Sequence, residues 1–207
     1  MADLAKTDDL FYDRTGLERA RVEGLVDETL AGADDGELYL EYSQSESITF
    51  DDGRIRNAAF DSSQGFGLRA ICGEAAGYAH AGDLSEAAMK RAADAVRAVK
   101  HGYAGTLEAP PPGTNASLYA DVNPIGTMDF DAKVKLLGEI DAYARAKDSR
   151  VSQVSASIAG EWTAVQIVRA GGERAADIRP LVRLNVSVVV SQGERMESGS
   201  YGAGAHD

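Results

Sequence analysis

The sequence is poor in the residues that most often carry chemistry. Among its 207 residues there is one cysteine, one tryptophan and three histidines. A lone cysteine, Cys72, excludes an internal disulfide, and a reducing, cytoplasmic setting is the simplest expectation. His80, His101 and His206 lie far apart, and none has a second histidine four residues away, as a zinc-binding helix requires. No Gly-Lys-Ser/Thr occurs, which excludes a phosphate loop by motif. No Gly-x-Ser-x-Gly elbow occurs either, because "SGSYG" near the end lacks a strand-to-helix context. The N-terminus has no basic start followed by an apolar run, so no signal peptide is expected. Apolar stretches fall far below the ~20 residues that span a bilayer, so no membrane partner is expected. Basic residues are also few, 21 against 33 acidic ones, for a net charge of −12. A nucleic-acid binder needs cations to displace phosphate counterions, so direct nucleic-acid contact is not expected.

What remains reads as a soluble α+β chain long enough to bury a core. Residues 16–30 carry Leu17, Val22, Leu25, Val26 and Leu30 near helical spacing, closed by Gly32 and Asp34-Asp35-Gly36. "ELYLEYSQSESITF" then alternates as a half-buried strand, with Leu38, Leu40 and Tyr42 on one face. Asp52-Gly53 predicts a type I′ hairpin, because both central residues there need positive φ. Return strands are expected over 54–60, 64–72 and 75–80, with a turn at Gly73-Glu74. A helix follows over 85–100, capped by Asp83 or Ser85, with His101 as a basic C-terminal residue. Residues 101–128, with three consecutive prolines, read as a linker or an extended wrapping segment.

After Asp129 the order repeats. A helix carries Phe130, Val134, Leu137, Ile140 and Ala144, followed by strands over 151–159, 163–169 and 181–190. The fold expected is therefore duplicated helix–antiparallel sheet–helix units, near 16–100 and 129–207 around a 101–128 linker. The second unit is incomplete. It lacks a closing helix, so Leu184, Val186, Val188 and Val190 would line an uncovered face. The final "SGSYGAGAHD" reads as unstructured.

"GFGLRAICGEAAGYAH" poses the sharpest choice. A dinucleotide fingerprint needs its glycines between a strand and a helix, and here Leu68-Arg69-Ala70-Ile71 alternates like a strand. Gly65 and Gly67 are thus read as points of close backbone approach within a sheet. Cys72 has no adjacent histidine to activate it, and the carboxylates Glu37, Glu41, Glu46, Asp51 and Asp52 form no distinguished pair. The residues alone present no catalytic constellation.

In order along the chain, Asp52-Gly53-Arg54-Ile55, Gly65-Phe66-Gly67-Leu68-Arg69 and Gly77-Tyr78-Ala79 precede an alanine-rich helix. This order resembles the N-terminal region of the TldD/PmbA family of metallopeptidases, also called modulators of DNA gyrase. The likeness extends over roughly residues 8–204. It implies a parent zinc peptidase acting on unfolded peptides, paired with a TldE/PmbA-like subunit or with itself. Family members carry a His-Glu-x-x-x-His zinc motif in a C-terminal domain, where the glutamate would activate zinc-bound water. No His-Glu pair occurs here, so no catalytic or metal residue carries over. The implied role is a substrate-channel or assembly domain, with Gly65, Gly67, Arg69 and Tyr78 as channel-border residues. The rival expectation is a stand-alone, non-enzymatic protein-binding module with a gyrase-related partner.

Overall fold

A computed structural model describes residues 2–100, 103–107, 109 and 118–206. Its strands form one six-stranded antiparallel sheet in the order β3-β2-β1-β4-β5-β6. Helices α1 (Ala2–Asp8) and α2 (Arg19–Leu30) come first, joined through a π-helical turn at Asp9–Asp13. Strands β1 (Asp35–Asp51), β2 (Arg54–Cys72) and β3 (Ala75–Ala81) follow, then α3 (Glu86–Arg97). Helix α4 (Phe130–Lys147) leads into β4 (Val151–Val168), β5 (Arg174–Gln192) and β6 (Arg195–Ala205). The expected recurrence of element order is thus present, as α2-β1-β2-β3-α3 and then α4-β4-β5-β6.

Compactness divides the chain differently from that recurrence. One unit draws on 1–43, 63–118 and 163–178, the other on 44–62, 119–162 and 179–207. The interleaving arises because four strands are 17 to 19 residues long, so each of them serves both units.

In the first unit the start of β1 alternates strictly, with Leu38 and Leu40 buried between half-buried Glu37, Tyr39 and Glu41. Leu68, Ala70 and Cys72 of β2 are buried likewise. The helices supply Val22, Val26 and Leu30 from α2, and Ala88, Met89, Ala92, Ala93 and Val96 from α3. Ser85 caps α3 by accepting the Ala88 amide at 3.2 Å. The second unit has a smaller core of Ile48, Phe50, Leu137 and Ala156, with Val134, Ile140, Ile158, Leu184 and Val186 at its margin. Asp129 caps α4, accepting the Ala132 amide at 2.7 Å.

Five expectations change. The strands expected over 151–159 and 163–169 are one continuous strand, β4. Residues 54–72 form a single strand, not two, because the backbone stays extended through 61–63. The tail expected to be unstructured is β6, whose glycines and serines pair with β5 from Val182↔Ala205 to Gln192↔Arg195. The N-terminal residues 2–13, outside the first expected helix, are helical. The 101–128 segment is ordered in part. The Gly105 amide donates to the Gly32 carbonyl at 2.7 Å, and Asn123 caps a 3-10 turn at Pro124–Gly126. His101 and the three prolines lie outside the described residues.

Candidate functional site

The four residues singled out as channel borders all belong to the first unit. Gly65, Gly67 and Arg69 alternate along one face of β2, the face opposite buried Leu68 and Ala70. Arg69 pairs directly with Tyr78 of β3, and Gly67 with His80, so these side chains share that face. A Cβ on Gly67 would stand 2.8 Å from the Tyr78 hydroxyl and 3.0 Å from its ring. The tyrosine therefore lies over the glycine, and its ring continues into a stack with His80 at 5.6 Å between centroids. Tyr78 remains 64% exposed, so its outer side is free to bear a ligand. Gly65 sits where a Cβ would meet the Ala81 carbonyl oxygen at 2.9 Å, beside the end of β3.

Arg69 is fixed from its other side. Its Nε and Nη2 donate to the two oxygens of Glu37 at 2.9 and 3.1 Å, a fork-on-fork pair. Asp35 lies 3.8 Å from the same guanidinium and accepts from Arg169 Nη2 at 2.5 Å. Beside these carboxylates, and foremost through the Glu37 hydrogen bonds, the Arg69 guanidinium is held above its ordinary pKa. Tyr39 extends the polar row, donating to Glu41 at 2.6 Å. One face of this sheet is thus a plane of paired charges bordered by an aromatic ledge. It offers backbone and aromatic contacts, and its charges compensate one another.

β3 is the outermost strand on this side of the sheet, so its outer backbone edge has no strand neighbour among the described residues. A turn at Gly73-Glu74 holds it against β2. The Asp34 carboxylate accepts both the Gly73 amide at 2.7 Å and the Tyr103 hydroxyl at 2.5 Å. These bonds, the tyrosine's first, hold the Asp34 carboxyl below the usual carboxylate range. Sequence reading missed this anchor, since nothing in the local pattern ties Tyr103 to Asp34.

Elsewhere the first unit contains a closed polar cluster. Gln166 is fully buried; Tyr12 donates to its Oε1 at 2.6 Å, and its Nε2 donates to Thr7 and Asp8 at 2.9 Å each. Burial pushes the Tyr12 phenol up to about 12. In the second unit the buried Lys133 donates to Glu46 at 2.5 Å and to the Ile125 carbonyl at 2.7 Å. His206 stacks on Tyr119 at 4.8 Å, and its Nδ1 donates to the Pro180 carbonyl at 2.9 Å. A depression of about 320 Å³ is lined by Ser45, Ser47, Asp61, Glu161, Leu181 and Arg183.

Among the described residues no group of three or more His, Cys, Asp or Glu side chains is placed to hold a metal ion. The zinc that the family resemblance implies therefore finds no fitting ligand set among the described residues. Among the same residues no helix is long and apolar enough to cross a membrane.

A helix-backed antiparallel sheet with one open polar face defines an α+β module. Comparison with known proteins gives that module a family. Residues 36–100 match PmbA/TldA metallopeptidase domain 1, and residues 123–206 match the PmbA/TldA metallopeptidase central domain. The chain belongs to the PmbA/TldD metallopeptidase family and carries its N-terminal region. It is 38% identical over 174 residues to a metalloprotease TldD homolog of Haemophilus influenzae, covering 83% of this chain and 36% of that relative. A second TldD homolog, from Buchnera aphidicola subsp. Schizaphis graminum, is 32% identical over 173 residues with the same coverage. The chain thus spans just over a third of the length of these curated relatives. Among solved structures it resembles a proposed modulator of DNA gyrase from Bacteroides thetaiotaomicron, with a TM-score of 0.69 and 16% identity over 90% of this chain and 45% of that one. It also resembles TldE from Thermococcus kodakarensis, with a TM-score of 0.63 and 15% identity over 91% of this chain and 43% of that one. At these identities the structural likenesses establish the fold.

Proposed function

We propose that this chain forms the substrate-admitting and assembly part of a TldD-like zinc peptidase that cleaves unfolded peptides, with the metal chemistry supplied elsewhere in the longer enzyme. The observation that carries this reading is the first unit's outer strand. β3 offers an unpaired backbone edge, and Tyr78 stands exposed beside it over Gly67. An unfolded peptide can add to such an edge as a further strand. Each backbone hydrogen bond so formed contributes about 1 kcal/mol net, whatever the peptide's sequence. Gly65 and Gly67 keep the strand surface low, Tyr78 supplies an apolar contact, and Arg69 is held rigid by Glu37 and Asp35 to define the border. A TldE/PmbA-like subunit is the fitting partner, in keeping with the TldE fold likeness.

The test is Gly67→Val in the complete enzyme. The added methyls would force Tyr78 off its seat, since a Cβ alone already stands 2.8 Å from its hydroxyl. Peptide cleavage should fall roughly tenfold through misplacement of the substrate. Zinc content should stay constant. Unchanged cleavage would remove Tyr78 and Gly67 from the channel.

A second reading, a stand-alone binding module, draws on residues 54–62 of the second unit. They have no outer strand neighbour among the described residues and expose Ile55 and Phe60. The mass of the protein from its native host separates the two. A product well above 21.8 kDa supports the peptidase reading, and one at 21.8 kDa the module.

A further inference from the structure

The depression of about 320 Å³ in the second unit lies on the sheet face that α4 leaves bare. Ile48, Phe50, Ala156 and Ile158 turn the other way and pack with Leu137 of α4. Side chains alternate along a strand, so residues of the opposite parity face away from that helix. β1 places Ser45 and Ser47 there, and β4 places Ala159 and Glu161. β2 adds Ala59 and Asp61, and β5 adds Leu181 and Arg183. Each of four neighbouring strands thus gives residues i and i+2 to one hollow. Small side chains make its floor, and longer ones rise around them.

The charges of this hollow differ in what they already hold. Glu46 is engaged, since Lys133 donates to it at 2.5 Å. Arg183 and Asp61 are exposed, and neither has a hydrogen-bond or ion-pair partner among the described residues. They stand on the outer two of the four strands, β5 and β2. Three strand spacings of ~4.8 Å separate those backbones by roughly 14 Å, too far for the two side chains to neutralise one another directly. A ligand reaching both, with a hydrogen bond of ~2.8 Å at each end, spans roughly 8–9 Å. That is the length of two to three extended residues at ~3.5 Å each. A simple anion at Arg183 would face the carboxylates of Asp61 and Glu161. A simple cation at Asp61 would face the guanidinium. A molecule with a carboxylate at one end, an ammonium at the other and a small apolar body satisfies all three features.

We infer that this hollow binds a short zwitterionic peptide of two to three residues. Its free carboxylate rests on Arg183, its free ammonium on Asp61, and its small side chains on the floor of Ser45, Ser47 and Ala159. The site belongs to the second unit alone. The inference does not depend on the peptidase reading, in which a longer peptide adds to β3 through its backbone and its termini play no part.

Tri-alanine with both termini free, titrated into the isotope-labelled chain, tests this. Saturable shifts of the Ser45, Ser47, Ala159 and Gly160 amides are expected below ~10 mM. Tri-alanine amide and N-acetyl-tri-alanine should each bind at least ~fivefold more weakly, because each lacks one charge-assisted contact. Free alanine, too short to reach both charges, should also bind at least ~fivefold more weakly. Arg183→Gln should abolish the preference for a free carboxylate alone, and Asp61→Asn the preference for a free ammonium alone. Both positions are exposed, so the fold, checked by circular dichroism, should stay intact. Absence of saturation by ~10 mM would overturn the inference. So would equal binding of the blocked peptides or of alanine, or a terminus preference that survives its matching substitution.

Discussion

Replacing Gln166 by leucine should destabilise the first unit through a single orphaned hydroxyl. Gln166 has three partners, and their fates differ. Thr7 keeps its hydrogen bond to the Asp3 carbonyl at 2.9 Å, and Asp8 keeps Arg174 at 2.5 Å. Only Tyr12, which is 4% exposed and donates to Gln166 Oε1 at 2.6 Å, loses its acceptor. An unsatisfied buried hydroxyl costs about 1–3 kcal/mol. For a chain of this size that corresponds to a melting temperature lower by roughly 4–8 °C at the middle of that range. Tyr12→Phe alone leaves the Gln166 carbonyl oxygen unpaired and should cost a similar amount. The double variant removes both partners together, so its loss should fall short of the sum by about 1–2 kcal/mol. Urea unfolding of the native chain, the two single variants and the double variant measures this. Strict additivity, with coupling below about 0.3 kcal/mol, would show that the hydrogen bond contributes nothing.

The same tyrosine makes the chain sensitive to alkali. Its folded pKa of about 12 exceeds the model-peptide value of 10.0, so the unfolded chain loses the proton first. Stability is whole below pH 10 and falls between pH 10 and 12, by on the order of 2–3 kcal/mol, and Tyr12→Phe should lack that component in urea midpoints taken across the range. Lys133→Met strands Glu46 and the Ile125 carbonyl in the second unit and should cost about 3 kcal/mol, seen as a lower urea midpoint. Asp34, whose carboxyl is held low by Tyr103 and the Gly73 amide, contributes above the usual carboxylate pKa and loses its effect as pH falls through the lower folded value. The protection of the Gly73 amide against exchange, relative to its intrinsic rate at each pH, should therefore fall in acid, and Asp34→Asn should remove that acid dependence.

Local pattern made much of the fold legible. The alternation of Leu38 and Leu40, the Asp52-Gly53 turn with φ of 47° and 79°, and the cap at Asp129 are all short-range physics. They depend on residues within a few positions of one another, and the structure has them where the pattern placed them. The recurrence of element order was readable for the same reason. Where the reading broke, a distant partner decided. Residues 195–205 lack any apolar alternation and are a strand only because β5 supplies hydrogen-bonding partners along their whole length. Residues 61–63, left between two expected strands, continue β2.

The candidate site divides along the same line. Gly65 and Gly67 could be recognised as sheet glycines from the alternation of "GFGLRAI". What occupies the space they leave, the Tyr78 ring, depends on the register of a hairpin, and a slip of one residue would have sent it to the other face. The fork of Arg69 on Glu37, the Tyr103–Asp34 bond and the Gln166 cluster join residues 32, 69 and up to 159 positions apart. By itself the sequence determined the helices α2, α3 and α4 and the Asp52-Gly53 and Gly73-Glu74 turns, because those preferences are set by neighbours along the chain. Only the tertiary structure decided which buried polar groups meet, which sheet face stays open and which strand is left at the edge, because burial and pairing are properties of the assembled sheet.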